Sequence, residues 1–227
     1  NWKSVNKVKS TTFKDANGSV TVVLTLTADI EDPGEVTLEP LDYENWIPKG
    51  NDRDAAKPGN SLRVKVRVHP TGQPDKPSDR KAKMTFFLED VTKEPGVCLN
   101  FPKGLSDDDD LRFLVDENPN LRVESSTKAV TREKVNKAEV VIASFDFASY
   151  GRLRVLAEDD KGRALKVRYK GKENVKLAIP KDDLGGRIAD AWRIAEGAQG
   201  LALDWDEAQI SGQTAKGDGM TLLQKYR

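Results

Sequence analysis

Along residues 61–70, SLRVKVRVHP, the apolar Leu62, Val64, Val66 and Val68 alternate with Arg63, Lys65, Arg67 and His69. A period of two sends successive side chains to opposite faces, so this stretch predicts a strand buried on one face and wet on the other. SVTVVLTLTADI repeats the pattern, with Val20, Val22, Leu24 and Leu26 on one face and Thr21, Val23, Thr25 and Thr27 on the other. Met84, Phe86 and Leu88 fall inward in KAKMTFFLEDV, and KAEVVIASFDF and GRLRVLAEDDKGRALKVRY predict further strands. The final two strands are expected to form a hairpin about Asp159, Asp160, Lys161 and Gly162. Additional strand candidates lie at EVTLEPL, LRFLV and LRVES.

Between these runs stand polar connections rich in Pro, Gly and Asp, such as ENWIPKGNDRDAAKPGN and HPTGQPDKPSDRK, which suit surface loops. Hairpins without helical crossovers imply an all-antiparallel arrangement of two stacked sheets. Helical spacing appears only late, at Ile188, Ala191, Trp192 and Ala195, with Gly197 as a stop. A second short helix is expected over MTLLQKYR, with Met220, Leu223 and Tyr226 on one side. The expected fold class is mainly β: a sandwich over residues 1–178 with long loops, then a short two-helix appendage over 179–227.

Composition narrows the functions. Among 227 residues, 37 basic side chains balance 37 acidic ones. Nucleic acids and anionic membranes both require a basic excess, so neither is expected as a partner. The single cysteine, Cys98, excludes an internal disulfide and a cysteine-based zinc cluster, and its apolar neighbours suit a small buried hydrophobe. No apolar run approaches the roughly 20 residues that cross a bilayer, so membrane insertion is not expected. Asn1 follows no charged-then-apolar leader, which fits either a cytoplasmic chain or an exported one whose signal has been removed.

Catalytic material is sparse. His69, the only histidine, is expected to face solvent beside Arg63, Lys65 and Arg67. HExxH, GxSxG and GxxxxGK[ST] are all missing from the sequence. The four aspartates Asp107 to Asp110 suit a solvated loop or a helix start. Tyr43 and Trp46, in the polar stretch LDYENWIPKG, are candidates for stacking on a sugar ring, although packing at the sandwich edge is the reading their surroundings favour.

The C-terminal segment invites a metal. IPKDDLGGRIADAWRIAEG, followed by GDGMTLLQKYR, resembles the paired calcium-binding segments of large secreted bacterial proteins, in the style of thrombospondin type 3 and dockerin repeats. The likeness spans about the last 50 residues and implies loops with oxygen ligands at positions 1, 3, 5, 9 and 12. In the first loop Asp182 and Asp190 match positions 1 and 9, whereas Leu184, Gly186 and Arg193 stand at 3, 5 and 12. In the second, Asp218 takes position 5, but Thr214, Lys216 and Lys225 replace the acids at 1, 3 and 12. Cations at ligand positions predict that neither loop holds calcium in the usual way, leaving Asp204, Asp206 and Glu207 as donors for a non-standard site.

FDFASYGRLRVLAEDDKGR is similar to the closing strands of bacterial immunoglobulin-like and PKD domains. That resemblance implies an immunoglobulin-like sandwich acting as a spacer or binding module at a cell surface. The expected function is therefore a non-catalytic structural or adhesive module of a larger exported bacterial protein, binding a protein or a surface glycan and needing no cofactor. Two alternatives stand beside it: the non-catalytic N-terminal part of a secreted hydrolase whose active site lies beyond Arg227, and a carbohydrate-binding sandwich using Tyr43 and Trp46.

Overall fold

The computed structural model describes residues 5–15, 18–28, 31–51, 53–54, 56–93, 108–205 and 220–227. An N-terminal hairpin pairs β1 (Val5–Asp15) with β2 (Gly18–Ala28) as a separate two-stranded sheet. Next come β3 (Glu35–Pro40), β4 (Asn60–His69), β5 (Lys83–Glu89), β6 (Leu111–Arg112), β7 (Leu121–Ser125), β8 (Lys128–Thr131) and β9 (Lys137–Ser144). The chain continues through β10 (Gly151–Glu158), β11 (Lys166–Tyr169), β12 (Lys172–Glu173) and β13 (Leu177–Ile179) to helices α1 (Asp190–Ala195) and α2 (Leu222–Tyr226).

The strands form a five-stranded sheet, β13-β10-β5-β8-β7, and a six-stranded sheet, β12-β11-β3-β4-β9-β6. Alternation drives the stacking. Leu62, Val64, Val66 and Val68 of β4 meet Met84, Phe86 and Leu88 of β5 in one apolar cluster, to which both sheets contribute. The protein is thus a β-sandwich with a short helical appendage, as the patterning predicts.

Several elements depart from expectation. The turn at Asp159 forms, its carboxylate accepting the Lys161 and Arg163 N–H groups, but the chain changes sheets there. β10 pairs with β5 and β13, while β11 lies parallel to β3 with Lys166 opposite Glu35. The arrangement is therefore not all antiparallel. A bidentate ion pair explains the exception: Arg168 Nε and Nη2 donate to the Glu35 carboxylate at 2.9 and 3.0 Å, and Glu35 is buried. LRFLV yields only the two residues of β6, because the Phe113 N–H turns to the Ser126 carbonyl.

The appendage packs Ile188, Ala189, Ala198, Leu222 and Tyr226 into a second small core with Ala148 from the β9–β10 connection. Trp192 packs edge-on to Tyr226, ring centroids 5.1 Å apart. In α2 the buried pair is Leu222 and Tyr226, four residues apart, rather than Met220, Leu223 and Tyr226. Thr221 caps that helix reciprocally with Gln224, which sets its rotation.

The two faces of β4 make a direct test. Val64→Asp, at a fully buried position, should cost at least about 3 kcal/mol by burying an unpaired charge. Lys65→Asp should stay within about 0.5 kcal/mol. Urea denaturation of both variants measures the difference, and equal losses would contradict the assignment of faces.

Candidate functional site

Tyr43 and Trp46 are buried, at 6% and 7% exposure. The Tyr43 hydroxyl donates to the Ala178 carbonyl at 2.6 Å, its ring stands edge-on to Tyr169, and burial pushes its phenol up. Trp46 joins the main core. Neither ring offers a face to a sugar, because the aromatic area is already spent on packing between the 41–45 turn and the sandwich.

His69 is likewise not solvent-facing, at 1% exposure. Its Nδ1 donates to the Pro70 carbonyl at 2.9 Å and its Nε2 lies 2.6 Å from Thr37 Oγ1. Alternation along β4 sends it to the face opposite Val66 and Val68, where these two bonds hold the ring. Asp32 anchors the 71–80 loop by accepting from the backbone N–H groups of Gly34 and Thr71 and from Arg80. Burial opposes ionisation, but the Thr71 hydroxyl, foremost, and these bonds hold the Asp32 carboxyl well below the usual range.

The calcium-like loop is closed by its own arginine. Arg193, 3% exposed, donates through Nη2 to the Gly185 carbonyl at 3.0 Å and through Nη1 to the Leu201 carbonyl at 3.3 Å. Both Asp190 oxygens accept loop N–H groups, from Asp183 at 3.0 Å and Leu184 at 3.1 Å. Asp182 accepts the Arg187 N–H through Oδ2, its Oδ1 is buried without a partner, and burial raises its carboxyl. A buried guanidinium inside the loop and carboxylates committed to backbone do not fit a calcium ion. Asp204 is exposed, while Asp206, Glu207 and Asp218 lie outside the described residues, as does Cys98. Among the described residues no three His, Cys, Asp or Glu side chains converge on a metal-sized space.

One buried acid is not legible in the sequence. Asp108 and Asp109 pair with Arg112 and Lys93, but Asp110 is 7% exposed beside the buried Asp146. Burial pushes the Asp110 carboxyl up to about 7, with the Thr92 hydroxyl opposing and the Asp146 charge adding. Its backbone explains the placement: the Asp110 N–H bonds the Thr92 carbonyl, and its own carbonyl accepts from Phe145 N–H at 2.8 Å. A run of like residues gives no hint of which one the edge of β9 will draw inward.

A second feature invisible in the sequence is a cleft of about 770 Å³ along the edge of β9. One wall is β9 with its β4 neighbour, including Lys65, Lys137, Ala138 and Glu139; the other is the 120–135 segment, including Leu121, Arg132 and Val135. Arg67 is paired with Glu39, and Arg63 with Glu139. Lys65, Arg132 and Lys137 have no ion-pair partner among the described residues, and of the cleft acids only Glu133 remains to oppose them. The cleft therefore carries a local positive excess on a chain of zero net charge.

The buried acid and the buried guanidinium can each be tested. The folded-state carboxyl of Asp110 holds its proton above the ordinary value of 3.8, so its favourable contribution is complete below that pH and is lost as pH rises through about 7. Stability should fall by up to about 1.4 kcal/mol per pH unit across that window, and Asp110→Asn should flatten the profile in pH-dependent urea denaturation. Arg193→Met should cost about 3–5 kcal/mol by leaving buried partners unpaired, read by thermal unfolding. Millimolar calcium should leave the melting temperature of the parent chain unchanged.

No family model matches the chain, and no curated protein matches it. Among solved structures, a lipoprotein from Bacteroides thetaiotaomicron is 12% identical, covering 69% of this chain and 87% of its own, with a TM-score of 0.29. The DNA-binding domain of the C. elegans p53 orthologue is 10% identical over 62% of this chain and 88% of its own, at 0.30. A cohesin module from a Clostridium perfringens family 33 glycoside hydrolase is 11% identical over 62% of this chain and 100% of its own, at 0.23. Likenesses this remote carry no assignment of function. No helix among the described residues is long and apolar enough to cross a membrane.

Proposed function

We propose that this chain is a non-catalytic β-sandwich binding module whose recognition surface is the cleft along β9. The observation that carries this is the cleft's composition: an open volume of about 770 Å³, partly apolar, rimmed by cations without ion-pair partners among the described residues. The groups that usually perform acid–base chemistry are engaged elsewhere. His69 is bonded to Thr37 and Pro70, and Asp110 is buried away from the cleft. The resemblance of the 145–163 stretch to bacterial immunoglobulin-like and PKD domains adds an exported or cell-surface setting to the proposal.

Arrays of peptides and glycans probed with the labelled chain test it. Ligands captured should bind the Lys65→Glu, Arg132→Glu double variant at least about tenfold more weakly, equivalent to about 1.4 kcal/mol. Unchanged affinity in that variant, or turnover of a captured ligand, would overturn the assignment.

A further inference from the structure

The directions of the backbone groups along β9 identify what the cleft takes. Even-numbered residues face β4: the Val68 N–H donates to the Asn136 carbonyl at 2.9 Å, and the pairing continues through Ala138, Val140 and Ile142. Odd-numbered residues therefore direct N–H and C=O to the opposite edge. There, Phe145 N–H bonds the Asp110 carbonyl and Ala143 pairs with Arg112. Val141 is satisfied by a side chain: its N–H donates to Asn118 Oδ1 at 2.8 Å and its carbonyl accepts from Asn118 Nδ2 at 3.0 Å. At the far end Val135 exchanges both bonds with Ala82, at 2.9 and 3.0 Å. Between these closures, the backbone groups of Lys137 and Glu139 find no bond among the described residues, and both residues line the cleft.

We infer that the cleft takes an extended acidic polypeptide segment, which adds as a strand to β9 by bonding the backbone of Lys137 and Glu139; this rests on the cleft being the recognition surface. Residues 137 and 139 are about 7 Å apart along a strand, the spacing of residues i and i+2 of an incoming one. Alternate side chains of that strand would meet the partly exposed Val135 and Ala138 on the apolar side of the cleft. The other face would meet Lys65, Arg132 and Lys137, which favour carboxylates. A second copy of this chain docking edge to edge would instead bring two sets of these cations together, so an acidic partner fits better.

The experiment uses the full chain and a capped heptapeptide alternating glutamate with valine. Hydrogen exchange read by NMR should slow at least about tenfold at the Lys137 and Glu139 amides when the peptide is added. Methylating the peptide nitrogens on the edge facing β9 should weaken binding at least about tenfold, and so should Glu139→Pro, which removes an outward N–H while sparing the bonds to β4. The methylated peptide keeps the test valid if the proline variant fails to fold.

Binding that leaves both amides unprotected, with the methylated peptide equally tight, would overturn strand addition while leaving the cleft as the recognition surface. A lysine–valine peptide binding as tightly would overturn the acidic assignment, and protection of both amides in a peptide-free dimer would make a second copy the occupant. Absence of peptide binding at about 1 mM would overturn the inference alone, provided that array ligands remain sensitive to Lys65→Glu, Arg132→Glu.

Discussion

A strand residue points its N–H and C=O to one edge only, and along β9 neighbours of unequal length leave part of that demand unmet. On the β4 side the ladder runs from Asn136 to Ser144. On the other side β6 supplies only two residues, and the chain then crosses to the five-stranded sheet. Asn118 completes one further position by presenting an amide that imitates a strand residue, holding both polar groups of Val141. Closure by Asn118 at one end and by Ala82 at the other defines the length of the open edge. The cleft is a consequence of how the chain passes between sheets, not of a loop laid over the surface.

Charge placement holds the rest of the frame in register with that edge. Glu35, 2% exposed, joins β3 to β11 through Arg168 and also accepts the Gly72 N–H at 3.3 Å. Asp32, a few residues earlier, ties the 71–80 loop to the same corner. The buried Glu35 and the half-buried Asp32 keep their charges there because backbone N–H donors and a guanidinium converge on each, which is the condition for a desolvated charge to be tolerated. Glu35 also stands opposite His69 in the β3–β4 ladder, so the same corner fixes the end of β4.

Patterning of side chains makes the sandwich legible, since β4, β5 and β10 each carry a clean alternation and their inward residues form one core with those of the continuously apolar β9. Partner choice was less legible. The Asp159 turn reads as a hairpin because turn chemistry is local, whereas the sheet that β11 joins depends on Glu35, more than 100 residues away in sequence, where Arg168 finds its partner. β8 is not legible because KAVT is too short to establish a period. For Tyr43 and Trp46 burial selects the packing reading over sugar stacking, a choice their polar neighbourhood in sequence leaves open because it says nothing of what a turn folds against. Asp182 and Asp190 do share a loop, but Arg193 at the twelfth position decides that loop's chemistry, and its sign was visible from the start.

The C-terminal loop and the β9 cleft use cations in opposite ways. Arg193 is enclosed, and its hydrogen bonds to two carbonyls, together with its charge beside Asp182, hold the loop without help from outside. Lys65, Arg132 and Lys137 stand exposed at the rim of a partly apolar space. Equal totals of 37 basic and 37 acidic residues conceal this division, because net charge sums over ion pairs that cancel locally and sites that do not. A charge selects a partner only where internal pairing stops. In the described fold that happens beside the same short length of β9 where backbone pairing also stops, so charge and hydrogen-bond direction at the cleft would select one ligand together.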